Sequence, residues 1–322
     1  MTAAQAGDGR SRTDGPVAAT NPPAATDPVK DLVRLTLAYR APLAWDVLLQ
    51  FLDRDAIPGV ELVQGACYGR TVRIDGRCGV VFASDAAPSS NAALGTHLHV
   101  EVSLSLLPAL MPLLARLRQL FDLDAEPAVI DAHLEQGGLA SLVARRHGIR
   151  IPGAVDSFDV VLGALTRGAG PAGRDPVQRV VRALGEPIDA GIPALDRLAP
   201  TADQVAEAGP ARLEGLGVSP RRAHALATAA RAIADGRLVL EPGSDVVAAH
   251  RALSSIEGVS DRLATQIVMR TLYWPDAFPV SDRALQRAAG VSGPGTLRAR
   301  AARWQPWRAY AALHLWLQET ER

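Results

Sequence analysis

The sequence predicts an α+β protein, with a small N-terminal domain built on an antiparallel sheet and a larger helical bundle after it. From Leu32 to about Ser105, apolar residues recur mostly at every second position, the period of a strand. Beyond about Ala125 they recur with helical spacing between Gly and Pro breaks. A chain of 322 residues that is 48% hydrophobic is also long enough for more than one domain.

The first thirty residues differ in composition from the rest of the chain. They consist mainly of Ala, Thr, Pro, Gly and Asp and include no aromatic residue. Such a segment has too little apolar surface to order itself. We therefore predict a disordered tail over residues 1–30, the α+β domain over 31–124 and the helical domain over 125–322.

Within the α+β domain, strands are predicted where apolar and polar residues alternate, and Asp75-Gly76 marks a turn between two of them. The predicted strands are 32–37, 71–74, 79–82 and 97–102. Helical spacing predicts helices at 45–54 and 107–121 in the same domain. We expect the strands to form one curved antiparallel sheet.

In the second part of the chain, short Gly and Pro breaks interrupt a helical pattern. The predicted helices are 203–208, 220–235, 244–253, 261–273, 282–289 and 296–321, the last of them broken at Pro306. We expect these helices to form an all-α bundle.

The composition excludes several classes of protein. Two cysteines, Cys67 and Cys78, are too few for a disulfide framework or an iron–sulfur cluster, and the seven histidines are scattered rather than spaced as zinc ligands. No segment offers the roughly twenty apolar residues of a membrane span. We therefore expect a cytoplasmic protein without a side-chain metal site. The formal net charge of zero excludes a bulk polycation but not a local basic surface.

A tight turn joins two apolar helical segments at residues 253–264, around Gly258. A glycine in such a turn lets the backbone amides at the next helix N-terminus approach an anion. Considered alone, the segment fits a plain helix–turn–helix connection nearly as well.

Two further segments carry residues of interest. Ser281 and Asp282 precede an apolar run, where a Ser-Asp pair ordinarily caps a helix. The last helical segment, 303–316, is rich in aromatic residues. Packing in the core is the ordinary role of such side chains, and we expect it for Trp304, Trp307 and Tyr310.

Taken together, these three segments resemble the helix-hairpin-helix superfamily of DNA glycosylases, in the branch of the 3-methyladenine DNA glycosylase II (AlkA) type. Four other segments are also similar to the family: 38–45, 121–123, 151–158 and 216–226. The resemblance therefore covers about residues 31–319. It implies a bacterial, nucleoid-associated monomer that hydrolyses the N-glycosidic bond of alkylated or otherwise damaged bases in double-stranded DNA.

The resemblance assigns the catalytic role to Asp282, which follows Gly258 at the family's distance of 24 residues (258 to 282). Its carboxylate would stabilise the positive charge that develops on the sugar as the base leaves. The family's final aromatic residue corresponds to Trp316, which would line the base pocket and attract cationic alkylated bases. The implied DNA-contacting residues are Gly258, Val259, Ser260 and Leu165, the last as a wedge in the base stack.

Several positions depart from the family pattern. The hairpin carries Glu257 where the family has Pro, and the pocket positions that are normally aromatic are Arg262, Gln266 and Arg283. Cationic groups in the pocket would repel cationic lesions and favour neutral ones such as hypoxanthine or ethenoadenine. The alternative is that both guanidiniums turn outward to phosphates and leave the indole of Trp316 free to attract cationic bases.

Superfamily members that also cut the DNA backbone use a lysine, which corresponds here to Arg262. The only lysine in the chain is Lys30, and a guanidinium does not lose its proton. We therefore expect a monofunctional glycosylase without an organic cofactor. Family hairpins hold a monovalent cation on backbone carbonyls, which here would belong to Ser254, Ile256 and Val259.

Three functions remain open from the sequence: an active glycosylase, a catalytically weak or inactive helix-hairpin-helix DNA-binding paralogue, and an unrelated helical protein. Asp282 favours the first, because a module that only binds DNA needs no carboxylate facing the phosphates. The altered pocket and hairpin favour the second.

Overall fold

The computed structural model describes residues 31–85, 96–168 and 174–321. An antiparallel five-stranded sheet forms the first part of this chain and helices form most of the rest, which confirms the predicted α+β fold. The tail predicted over residues 1–30 lies outside the described residues, and the domain boundary at 124 stays a prediction.

The sheet has the strand order β1-β5-β4-β3-β2, and every neighbouring pair is antiparallel. The strands are β1 (Leu32–Ala38), β2 (Glu61–Gln64), β3 (Cys67–Ile74), β4 (Arg77–Asp85) and β5 (His97–Ser103). The four predicted strands are confirmed. Strand β2 was not predicted, since its four residues are too few to show an alternation.

Two helices cover one face of the sheet: α1 (Trp45–Asp55) and α2 (Leu110–Leu120). The helix predicted to begin at residue 107 is preceded by a 3₁₀ helix, Leu104–Ala109, which contains Pro108. Because proline has no amide hydrogen, it suits a short turn of this kind better than a helix interior. The core between sheet and helices includes Phe121, whose ring meets that of Trp45 edge-on at 5.3 Å between centroids.

The second part of the chain contains eleven of the α-helices found in the described residues. They are α3 (Pro127–Leu134), α4 (Ala140–Val143), α5 (Ser157–Thr166), α6 (Asp175–Leu184), α7 (Ala202–Gly215), α8 (Pro220–Ala234), α9 (Val246–Ser254), α10 (Asp261–Thr271), α11 (Arg283–Ala288), α12 (Pro294–Ala301) and α13 (Arg308–Thr320). The predicted helices from 203 onward are confirmed. None of the helices described is long and apolar enough to cross a membrane.

A two-stranded ribbon interrupts the helical region, where only helices were predicted. Strand β6 (Glu186–Pro187) pairs with β7 (Arg197–Leu198), and two residues between them, Ala190 and Leu195, pack with Val80 against the sheet. Strands of two residues carry no periodic pattern, so no local signal predicts them. The ribbon covers the face of the sheet opposite α1 and α2.

Helix α10 lies between two hydrophobic cores. Ala264, Ile267 and Val268 belong to a core that includes residues of α5, α7, α8 and α9. Met269 belongs to a second core that includes residues of α3, α4, α11, α12 and α13. The same helix therefore fixes the position of both halves of the helical region, and its first turn lies next to the candidate site.

Asp122 connects the α+β region to the last helix. Its Oδ2 accepts a hydrogen bond from the Tyr310 hydroxyl at 2.8 Å and another from the Ile151 amide at 3.1 Å. Burial raises the pKa of the Asp122 carboxyl to about 6, although these two hydrogen bonds act in the opposite direction. The folded protein therefore keeps a proton that an unfolded Asp loses at about pH 4.

Asp122→Asn should change how stability depends on pH. The retained proton contributes stability fully below about pH 4, and this contribution is lost as the pH rises through about 6. As the pH rises from 4 to 7, the parent should therefore lose unfolding free energy relative to the variant, because asparagine does not titrate. Denaturant titrations at several pH values measure this difference, and parallel profiles for the two proteins would contradict it.

Candidate active site and DNA-binding hairpin

Helices α9 and α10 form a hairpin whose two helices are both capped at their N-termini. The carboxylate of Asp245 accepts hydrogen bonds from the amides of Val247 and Ala248, and the hydroxyl of Ser260 accepts one from the amide of Leu263 at 3.3 Å. Caps of this type satisfy amides that the helix itself leaves unpaired. The local sequence therefore fixes where each helix of the hairpin begins.

Gly258 occupies a position in the hairpin that requires glycine. Its φ is 97°, in the left-handed region, and a Cβ placed there would lie 2.9 Å from the carbonyl oxygen of Arg221 on α8. The glycine thus lets the hairpin pack closely on the start of α8. Any substitution at Gly258 would consequently disturb the fold.

The amides of the hairpin differ in their availability. The Val259 amide donates to the Ile256 carbonyl at 3.0 Å and closes the turn, and the Val259 side chain is buried. The prediction that Val259 contacts DNA stays a prediction, and its amide is not available for such a contact because it is already used within the turn. The amides of Gly258 and Ser260 have no partner among the residues described and stay candidates for a phosphate contact.

Asp282 caps α11 with one carboxylate oxygen. Its Oδ1 accepts hydrogen bonds from the amides of Ala284 at 2.7 Å and Leu285 at 3.1 Å, and its own amide donates to the Pro279 carbonyl at 2.9 Å. The residue is only 5% exposed. These bonds hold a buried carboxylate in one orientation, and they confirm the N-cap role that the sequence suggests.

Two consecutive residues of α10 hold the segment that carries Asp282. The Arg262 Nη1 lies 3.3 Å from Asp282 Oδ2, and the Ser281 hydroxyl lies 3.5 Å from Asp261 Oδ2. The start of α10, the second helix of the hairpin, is thereby joined to the start of α11. The site thus combines a fixed negative charge with a hairpin that has amides available for an anion, an arrangement suited to stabilising positive charge next to a bound phosphate chain.

Comparisons with known proteins agree with this geometry. A family model described as the AlkA N-terminal domain matches residues 34–156. DNA-3-methyladenine glycosylase 2 of Escherichia coli (strain K12) is 33% identical over 290 residues, which are 88% of this chain and 97% of that protein. The chain belongs to the AlkA family.

Other relatives extend the comparison. The chain is 35% identical over 291 residues to the probable bifunctional transcriptional activator/DNA repair enzyme AlkA of Mycobacterium tuberculosis, and it spans 56% of that protein's length. The fold is also similar to that of the 3-methyladenine DNA-glycosylase from Archaeoglobus fulgidus, with a TM-score of 0.71 and 18% identity over 89% of this chain and 98% of that one.

The residues that would line an AlkA-type base pocket lie on three helices. Trp316, on α13, is half-buried and packs against the core that contains Leu285 and Phe278. Arg262 is brought to Asp282, and Gln266 is half-buried one turn further along α10. Arg283 is exposed. The pocket role of these four residues stays a prediction.

The aromatic residues of the last segment behave largely as expected from core packing. Trp304 and Tyr310 are 1% and 3% exposed, and Trp307 is partly buried against the same core. The indole nitrogen of Trp304 also donates to the Gly137 carbonyl at 3.1 Å. These residues therefore support the helix that presents Trp316.

The role of Leu165 as a wedge in the DNA base stack stays a prediction. Leu165 lies in the last turn of α5, is fully buried and belongs to the larger helical core. A wedge role would therefore require the side chain to leave this core. Helix α5 ends at Thr166, and residues 169–173 lie outside the described part of the chain.

One ion-pair network between α1 and the helical region was not predicted. The carboxylate of Asp55, at the end of α1, lies 3.0 Å from Arg167 Nη1 and 3.1 Å from Arg270 Nη1. Arg270 is on α10 and also donates to the carbonyls of Pro152 and Gly153. The partners are more than a hundred residues from Asp55 in the chain, so no local pattern could have revealed the network.

Proposed function

We propose that this protein is a monofunctional DNA glycosylase, which hydrolyses the N-glycosidic bond of alkylated or otherwise damaged bases in duplex DNA. The observation that carries the proposal is the buried carboxylate of Asp282, joined through Arg262 to the second helix of the hairpin. The E. coli relative that shares 33% identity is named DNA-3-methyladenine glycosylase 2. We further propose that the protein acts as a monomer on the bacterial nucleoid, where duplex DNA is found.

In this mechanism the hairpin positions the DNA and Asp282 acts on the sugar. The amides of Gly258 and Ser260 bind a phosphate, which places the backbone without reading sequence. The damaged base leaves the helical stack and enters the pocket beside Trp316. As the bond between base and sugar breaks, positive charge grows on the sugar and the carboxylate stabilises it.

Water completes the reaction by adding to the sugar carbon. The lysine of the superfamily's lyases is replaced by Arg262, whose guanidinium keeps its proton and cannot form a Schiff base. The products are therefore a free base and a DNA strand with an abasic site. A monovalent cation on the hairpin carbonyls of Ser254, Ile256 and Val259 would strengthen the phosphate contact.

The function is tested by incubating the purified protein with duplexes that carry single damaged bases, both alkylated and deaminated. We expect release of the free base, and strand cleavage only after alkali treatment. Borohydride should trap no covalent complex with the protein. If the protein binds DNA tightly but releases no base from any duplex, the result would instead support the inactive DNA-binding paralogue. The observation that favours this second candidate is the pairing of Arg262 with the Asp282 carboxylate.

DNA binding should weaken when negative charge is added at the hairpin. In Ser260→Asp the new side chain still caps α10, because Asp and Ser are comparable N-caps, but it faces the phosphates with a carboxylate. We expect affinity for duplex DNA to fall roughly tenfold at low salt and less at high salt, since the repulsion is screened. Fluorescence anisotropy over a salt series measures the effect.

Ser260→Asn is the matched control, because it also caps the helix and has nearly the shape of Asp without the charge. Its affinity should stay within about twofold of the parent. Glu257→Gln should change affinity in the opposite direction, since Glu257 is an exposed carboxylate in the same turn. Equal affinities for all four proteins would show that the hairpin does not contact the phosphates.

A further inference from the structure

The guanidinium of Arg262 lies on the open side of the Asp282 carboxylate. The backbone amides of α11 occupy Oδ1, whereas Oδ2 faces Arg262 Nη1 at 3.3 Å. The Asp282 side chain is 7% exposed and the Arg262 side chain 48% exposed. The cation therefore lies between the buried carboxylate and solvent.

We propose that Arg262 is a specificity-determining residue, which selects damaged bases that are neutral over those that carry a positive charge. The inference rests on the proposed glycosylase function and names the substrate class of that site. A cationic base brought to Asp282 would place a second positive charge beside the guanidinium. Burial of the carboxylate keeps water from screening this repulsion fully.

A neutral base meets no such repulsion and gains hydrogen-bond donors from the protein. The guanidinium offers only donors, so it suits the carbonyl oxygen or the unprotonated ring nitrogen of a neutral purine. Gln266 stands one turn after Arg262 on the same side of α10 and is half-buried, so it adds an amide to the same surface. The favoured substrates are therefore neutral lesions with an exposed acceptor, such as hypoxanthine or ethenoadenine.

The first test compares excision of hypoxanthine and of 7-methylguanine from otherwise identical duplexes. Each rate is divided by the spontaneous rate of base loss, because the cationic base leaves more readily without any enzyme. The parent should accelerate loss of the neutral base more, and Arg262→Gln should shift the ratio toward 7-methylguanine on the order of tenfold. Arg34→Gln, which removes an 87% exposed guanidinium on β1, should leave the ratio unchanged.

The second test needs no catalysis. Affinities are measured for duplexes in which a 2′-fluorinated sugar prevents base loss and the base is either the neutral hypoxanthine or the cationic 7-methylguanine. Arg262→Gln should shift the affinity ratio toward 7-methylguanine, while Arg262→Lys, which keeps the charge, should retain the parent ratio.

A parent enzyme that favours the cationic lesion would overturn the proposal, as would an affinity ratio that Arg262→Gln leaves unchanged. If no duplex loses its base, the proposed glycosylase function fails, but the affinity ratio still decides the role of Arg262.

Discussion

Asp282→Asn should lower the rate of base excision on the order of a hundredfold or more while leaving DNA binding intact, as expected for loss of a fixed charge that stabilises the transition state. The amide oxygen of asparagine can still accept hydrogen bonds from Ala284 and Leu285, so helix α11 keeps its cap. Single-turnover excision with excess protein measures the chemical step, and anisotropy measures binding.

Asp245→Asn is the matched control for this prediction. Asp245 caps α9 through the same two kinds of amide contact, at 2.8 and 3.1 Å, but its carboxylate has no cationic partner among the residues described. Its replacement should change excision by less than about twofold. An Asp282→Asn protein that excises as fast as the parent would remove Asp282 from the mechanism.

Asp55→Ala should destabilise the protein by about 3 kcal/mol, in the lower part of the range for breaking a buried ion pair from one side. Burial alone would raise the pKa of Asp55, but the guanidiniums of Arg270, Arg54 and Arg167 lower it. The side chains of Arg167 and Arg270 are 21% and 16% exposed, and alanine would leave both without their carboxylate. Urea unfolding measures the change.

Asp53→Ala separates this effect from a general loss of charge at the end of α1. Asp53 lies on the same helix, but its side chain is 55% exposed and its distance to Arg174 is 3.7 Å. An exposed pair of this kind contributes about 0–1 kcal/mol. Similar losses in both variants would show that the network around Asp55 adds nothing beyond surface charge.

The sequence predicts the elements of this fold well where they are long and periodic. Helices α8, α9 and α10 match their predicted ranges closely, since apolar periodicity and Gly or Pro stops act over the same residues. Strand β2 and the β6–β7 ribbon were not predicted, because they are held by pairing with distant segments rather than by local propensity.

In the candidate site, too, some features could be predicted from the sequence and others could not. The resemblance, through its spacing from Gly258 to Asp282, implied a functional pair, and the structure joins the two segments through Arg262. The burial of Leu165 could not be predicted, because an apolar residue near a loop fits an exposed and a core position equally well, and only packing distinguishes them. Ion pairs between distant segments, such as Arg70 with Asp159 at 2.6 Å, leave no trace in a single sequence.

The position of helix α10 in both helical cores constrains how this protein can adapt to new lesions. A hinge between the two halves would have to break the packing of Ile267 or of Met269, which lie on one rigid helix. Widening the pocket by rotating one half against the other is therefore costly, whereas exchanging an exposed side chain in the first turn of α10 leaves both cores intact. Substrate range in this lineage should thus diverge through replacement of single residues such as Arg262, with the backbone kept constant.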